Sequence, residues 1–213
     1  MKNSKILIKL PFVKVNISPY LLITAAALAI SGLFSVFTLI VILCALFHEL
    51  GHIFAMKLFK VKIYSLDLYL SGGVIRSDCA LLNYKKELAV SFAGIFANLI
   101  FALGALIFHL FSRDIFPVFT CFCNIFLAVL NIIPQKNLDG GRILFILSHM
   151  FFENEKADGI CSAAFKASSV LFILSSLAAL YFSRFNLSLA ALCASVILGV
   201  FAENQPSSFS SET

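Results

Sequence analysis

The sequence predicts an all-α polytopic membrane protein, with about six transmembrane helices and a small β-hairpin between the second and third, and three observations predict it. The 213 residues are 61% hydrophobic and only 13% charged, about half the charged fraction of an ordinary globular chain. Mean hydropathy is +0.99 and 24 residues are Phe, which excludes disorder and long polar coiled coils. Apolar stretches of about 20 residues, the length that crosses a hydrocarbon core of about 30 Å, recur along the whole chain. The six Cys are scattered through apolar sequence, so they read as small packing residues and not as a secreted disulfide framework.

The elements follow in order. Residues 1–16 are a Lys-rich cytoplasmic amino-terminal segment. From 17 to 59 the only Lys, Arg, Asp or Glu are Glu49 and Lys57, and that run is long enough for two crossings at about 1.5 Å per residue. A break near Ser31-Gly32 divides it. A cleavable signal peptide is the competing reading of the start, but the charged region is long and the Ser-Gly turn leads directly into another apolar run. Tyr64, Leu66, Leu68 and Leu70 then alternate with Ser65, Asp67, Tyr69 and Ser71 before Gly72-Gly73. Period two around a Gly-Gly turn reads as a β-hairpin. Further spans are expected at 87–112, 115–133, 160–183 and 185–202, with Arg113-Asp114 and Ser183-Arg184 as turns. Residues 203–213 are a polar tail.

Charge sets the expected direction. With the amino terminus cytoplasmic, fourteen Lys and Arg fall inside and only Arg113 and Arg184 outside, the bias that the positive-inside rule describes. The net charge of +5 therefore reflects topology and attraction to anionic lipid headgroups, with no sign of a nucleic acid partner.

Within the second span lies His48-Glu49-Leu50-Gly51-His52. Positions i and i+4 of a helix share a face about 6 Å apart along the axis, so both imidazoles can reach one metal ion. Glu49, turned about 100° from His48, suits a base beside the reacting water. The bland reading, polar residues that merely pack helices, must meet the insertion cost of about 2.5–3.5 kcal/mol for an ionisable group at bilayer depth. Two His leave a catalytic zinc one protein ligand short. The candidate is Asp139, in Asn131-Ile132-Ile133-Pro134-Gln135-Lys136-Asn137-Leu138-Asp139-Gly140-Gly141, where Pro134 and the glycines break helix. An ordinary N-cap for the helical run after it is the equal alternative. Gly94 to Asn98 is likewise open, because small residues four apart also let helices approach closely. Cys121 and Cys123 diverge by about 200° on a helix and cannot share a metal.

HELGH in one span, Ser91-Phe92-Ala93-Gly94-Ile95-Phe96-Ala97-Asn98-Leu99 in the next and Asn131-x-x-Pro134 with Leu138-Asp139-Gly140-Gly141 resemble the site-2 protease family of intramembrane zinc metalloproteases, most closely the stage IV sporulation protein FB branch. The resemblance covers roughly residues 15–150 and makes 17–150 a metalloprotease core, with 151–202 as two accessory transmembrane helices. It implies Zn2+ held by His48, His52 and Asp139, Glu49 as catalytic base and Asn98 on the substrate side. It further implies a membrane-tethered protein substrate cleaved near the cytoplasmic face, in the sporulation branch a precursor sigma factor, and membrane inhibitory partners. The location implied is the bacterial cell membrane or the membrane surrounding the forespore. The Gly72-Gly73 hairpin is expected either to pair its edge with an extended substrate or only to plug the bundle. Lys136-Asn137 departs from the residues that relatives often carry before the Leu-Asp-Gly motif, and the nucleotide-sensing domain of the sporulation branch is not carried over. The rival function is a divalent-cation transporter using the same His, Glu and Asp cluster, although such transporters usually repeat their broken helices and no second HExxH-like segment is present.

Overall fold

The structure is a computed structural model that describes residues 6–9, 14–17, 35–69, 72–78, 83–136 and 138–182. The expected first span after residue 17, the last span at 185–202, the Ser183-Arg184 turn and the tail at 203–213 lie outside the described residues. The chain divides into two compact units, Met1–Ile132 and Ile133–Thr213.

The first unit holds three long helices, α1 (Val36–Leu58), α2 (Tyr84–Ser112) and α3 (Ile115–Ile132). Four described helices of the chain are long and apolar enough to cross a membrane, these three and one in the second unit. Ser35 starts α1 by accepting the Thr38 amide on its hydroxyl, satisfying one of the donors that a first turn leaves over. Arg113 ends α2 in the left-handed region at φ 53°, which turns the chain sharply enough for α3 to begin at Ile115. Pro117 stands in the first turn of α3, where its missing N–H costs no helical hydrogen bond.

These helices invert the pattern of a soluble bundle. Phe54, Ile100 and Phe111 are 71%, 69% and 83% exposed, whereas Asn98 and Asn124 are 0% and 1% exposed. The inward stripe of α1 is Cys44, His48, His52 and Ala55, and that of α2 is Val90, Gly94, Asn98 and Ala102. Both step by three or four residues, one face of a helix. Oil outside with small and polar residues inside is the arrangement that hydrocarbon surroundings select.

The strands differ from expectation in number and register. β1 (Ile6–Lys9) and β2 (Lys14–Ile17) join β3 (Ile63–Tyr69) and β4 (Gly72–Ser77) in a four-stranded sheet of order β1-β2-β3-β4. The expected hairpin is present as the antiparallel β3–β4 pair, but Gly72 and Gly73 pair with Tyr69 and Leu68 inside the ladder instead of forming the turn. β2 runs parallel to β3, so the amino-terminal segment contributes sheet and is not only a charged tail. Ala55, Met56 and Val90 form a buried cluster at this end of the helices, and Val61, Ile63 and Ile75 pack against it. That cluster seats β3 and β4 beside the last turn of α1 and the first turns of α2. Tyr64 of β3 donates its phenol to Asp78 at 2.7 Å, which holds the Tyr64 hydroxyl above its ordinary pKa.

The second unit contains α4 (Asp139–Phe151) and α5 (Asn154–Phe182), in which Ile146, Ala157 and Cys161 are buried and Cys161 Sγ of α5 lies 3.7 Å from Ser148 Oγ of α4. The helix that contains the fifth expected span begins at Asn154, before residue 160. The segment before α4 is fastened to α5 through side chains. Ser168 Oγ lies 2.8 Å from the Pro134 carbonyl oxygen and 2.5 Å from Gln135 Oε1, two acceptors for its one proton, while Gln135 Nε2 donates to Ser169 at 3.3 Å.

Candidate metal centre

The HExxH segment is helical from end to end within α1, and the i, i+4 spacing stacks its two imidazoles as expected. His48 Nε2 and His52 Nε2 are 3.3 Å apart, with the rings nearly perpendicular at 84°. His52 Nδ1 lies 2.8 Å from the Val90 carbonyl oxygen of α2. A carbonyl can only accept, so Nδ1 carries the proton and Nε2 presents a lone pair. His48 Nδ1 lies 3.1 Å from Nδ2 of Asn98. Both rings are therefore oriented through the nitrogen that does not face the other ring, and His52 donates that N–H to a carbonyl as ligating histidines usually do.

Glycine makes the space for them. A Cβ on Gly94 would meet His52 Nε2 and would stand 2.7 Å from His48 Cε1. Gly51, the fourth residue of the motif, allows the matching approach from the other helix, since a Cβ there would lie 2.6 Å from the Ala93 carbonyl oxygen and 2.7 Å from Ala97 Cβ. The two glycines let α1 and α2 close upon each other at the depth of the histidines. Glu49 is half-buried on α1 beside His48. A Cβ-less cradle beneath two convergent imidazole nitrogens suits a borderline-soft cation such as zinc.

One turn earlier, Cys44 accepts a hydrogen bond on Sγ from Asn124 Nδ2 at 3.1 Å, and the same Nδ2 donates to the Thr120 carbonyl. Cys123 is buried beside this pair while Cys121 is only half-buried, as their divergence on one helix requires. His109 bonds the Asp114 carbonyl at the end of α2. In the second unit His149 lies 3.4 Å from Asp158.

Asp139 belongs to the second unit, half-buried at the first position of α4. The N-cap is Leu138, and it caps with no side-chain hydrogen bond, so the plain N-cap reading of Asp139 does not hold. Gly141 sets the turn that carries it: a Cβ there would run into the Gln135 carbonyl and stand 3.1 Å from Lys136 N. Gly141→Ala is expected to displace the Pro134–Lys136 backbone and to destabilise the chain by about 1–3 kcal/mol, read as a fall in thermal midpoint with loss of bound zinc. Gly159→Ala in α5, with nothing within 4 Å of its added carbon, should leave both unchanged.

Sequence reasoning missed the Val90 carbonyl and the role of Gly94 as space. The small-residue spacing from Gly94 to Asn98 was the available signal, and it named the face without naming what the face receives.

The profile of peptidase family M50 matches residues 36–115 and 112–175, more than half of the chain. The chain belongs to peptidase family M50. Both histidines, Glu49, Asn98 and Asp139 fall within the matched residues, and the resemblance to site-2 proteases read from the motifs is borne out. Stage IV sporulation protein FB of Bacillus subtilis is 28% identical over 171 residues, covering 76% of this M50 chain and 59% of that protein. A zinc metalloprotease of Methanocaldococcus jannaschii is 29% identical over 132 residues, 60% of this chain and 38% of that one. The chain thus spans between about two and three fifths of these curated relatives. A solved structure, the site-2 protease from Methanocaldococcus jannaschii, shares the fold with a TM-score of 0.68 at 23% identity, over 99% of this chain and 100% of that one. Family membership and the four apolar helices make this an integral membrane protein.

Proposed function

We propose that this M50 chain is an intramembrane zinc metalloendopeptidase that hydrolyses a peptide bond of a membrane-tethered protein near the cytoplasmic face. The observation that carries the reading is the pair of imidazole Nε2 atoms 3.3 Å apart above a glycine, with His52 Nδ1 fixed by a carbonyl. His48 and His52 would hold the zinc, and Asp139 is the proposed third ligand because a catalytic zinc takes three protein donors and an acidic oxygen completes a His, His set. Bound zinc would supply Lewis-acid activation of water and of the scissile carbonyl. Glu49 would accept the proton of the attacking water on its carboxylate and return it to the leaving amine. β4, at the edge of the sheet, would offer the backbone of Gly72 and Gly73 for pairing with an extended stretch of substrate. Such pairing matters because the peptide groups of a helical substrate are engaged in its own hydrogen bonds.

The charge bias supports a cytoplasmic amino terminus. Likeness to the sporulation relative supports a precursor sigma factor as substrate, a membrane surrounding the forespore as the site of action and membrane partners that hold the enzyme inactive.

The test is zinc content and cleavage measured together on the full chain in lipid nanodiscs. Native protein is expected to bind about one zinc and to cleave a membrane-tethered candidate, and Asp139→Ala is expected to lose most of the zinc and all detectable cleavage. Full zinc and normal cleavage in Asp139→Ala would remove Asp139 from the ligand set.

A further inference from the structure

We propose that Ser168 of α5 is a positioning residue for Asp139: it fastens the loop that leads into this carboxylate, so that α5, which carries none of the proposed ligands, sets how tightly the metal is held. The inference rests on the metal-site reading above. α5 is one of the helices long and apolar enough to cross a membrane, yet in its middle Ser168 is 3% exposed and meets Gln135, itself 6% exposed. A hydroxyl and a carboxamide buried in such a helical bundle are costly unless they bond each other or the backbone. Here they do both. Ser168 Oγ lies 2.5 Å from Gln135 Oε1, 2.8 Å from the Pro134 carbonyl oxygen and 3.0 Å from the Phe165 carbonyl oxygen of its own helix. Ser169 adds a second hydroxyl to the same carboxamide, accepting from Gln135 Nε2 at 3.3 Å.

From this contact to Asp139 the path is short and made of backbone. Gln135 N donates to the Ile133 carbonyl at 2.8 Å, Leu138 N donates to the Gln135 carbonyl at 2.9 Å, and Gly141 N donates to the Leu138 carbonyl at 3.1 Å. The Gln135 carbonyl also occupies the space that a Cβ on Gly141 would need. Gln135 is thus held by α5 through its side chain and by Leu138 and α4 through its carbonyl, and Asp139 is the first residue of α4. A shift of Gln135 therefore moves the turn that aims the carboxylate. Gly140-Gly141 directly after Asp139 leaves the unfastened backbone unusually free, and ordering it when a metal binds would cost affinity. The contact from α5 removes that cost in advance. A serine that served only its own helix would need no loop. Ser175 of α5 is of that kind, exposed and donating to the Phe172 carbonyl at 2.9 Å.

The experiment titrates zinc into the full chain in lipid nanodiscs against chelators of graded strength, for native protein, Ser168→Ala, Asp139→Ala and the double variant. Ala is a strong helix former, so α5 is expected to form in Ser168→Ala. That variant is expected to bind zinc about tenfold more weakly than native, the low end of the losses that follow removal of groups orienting a ligand. In the Asp139→Ala background the same change is expected to shift affinity by less than about twofold, because the carboxylate through which Ser168 acts is gone. Ser168→Thr, which keeps the hydroxyl, is expected to retain native affinity, as is Ser175→Ala. Native affinity in Ser168→Ala, equal losses in the two backgrounds, Ser168→Thr as weak as Ser168→Ala, or a loss as large in Ser175→Ala would overturn the proposal while leaving the metal site in place. Asp139→Ala that binds zinc as tightly as native would overturn the site reading and this proposal with it.

Discussion

Glu49→Gln is expected to keep its zinc and its fold while losing at least two orders of magnitude in cleavage rate, about 2.7 kcal/mol of transition-state stabilisation. Gln has nearly the same shape and helix propensity as Glu, and position 49 lies well inside α1, so the helix has no reason to change. Its amide cannot take a proton from water. The proposed ligands are other side chains, and the two imidazoles among them hydrogen-bond to Val90 and Asn98. The measurement is zinc stoichiometry, thermal midpoint and single-turnover cleavage on one preparation. Loss of rate with zinc retained assigns Glu49 to proton transfer. Loss of both would place Glu49 in the metal site itself, and normal cleavage would remove it from the chemistry.

The contrast between what could and could not be read in advance follows from range. The spans around α1, α2 and α3 were legible because hydrocarbon demands about 20 apolar residues in succession, a signal wholly local in sequence. HExxH was legible for the same reason: four residues on a helix fix which side chains share a face. β1 and β2 were not, because each is four residues long, too short for alternation to show, and β2 finds its partners in β3 51 residues away. The glycine pair at 72–73 was read as a turn from composition, yet strand pairing drew it into the ladder, where a glycine costs only side-chain packing. The spacing from Gly94 to Asn98 was read only as one that lets helices approach closely, and both residues lie on the buried face of α2. Depth was the missing quantity, since only the close approach at Gly51 and Gly94 puts the Asn98 side chain under an imidazole. The Val90 carbonyl carries no sequence signature at all, because every residue has one.

Gly94→Ala separates local propensity from packing more sharply than any other single change. In the middle of a helix the exchange should favour folding by about 0.5–1 kcal/mol, and at Gly104 of the same helix, where an added carbon meets nothing within 4 Å, a neutral or mildly stabilising effect is the expected result. At Gly94 the added carbon runs into His52 Nε2 and crowds His48. Either the rings leave the positions that Val90 and Asn98 give them, or α1 and α2 move apart where Gly51 holds them close. Overpacking of this kind costs about 1–3 kcal/mol, more than the propensity gain. The thermal midpoint is therefore expected to fall in Gly94→Ala and to hold or rise in Gly104→Ala. Zinc affinity should drop at least tenfold in the first and stay native in the second, by the scale of losses seen when ligand orientation is disturbed, and cleavage should become undetectable in the first alone. Native zinc affinity in Gly94→Ala would mean that the imidazoles do not meet above this glycine, and the metal centre would then have to be sought elsewhere on α1.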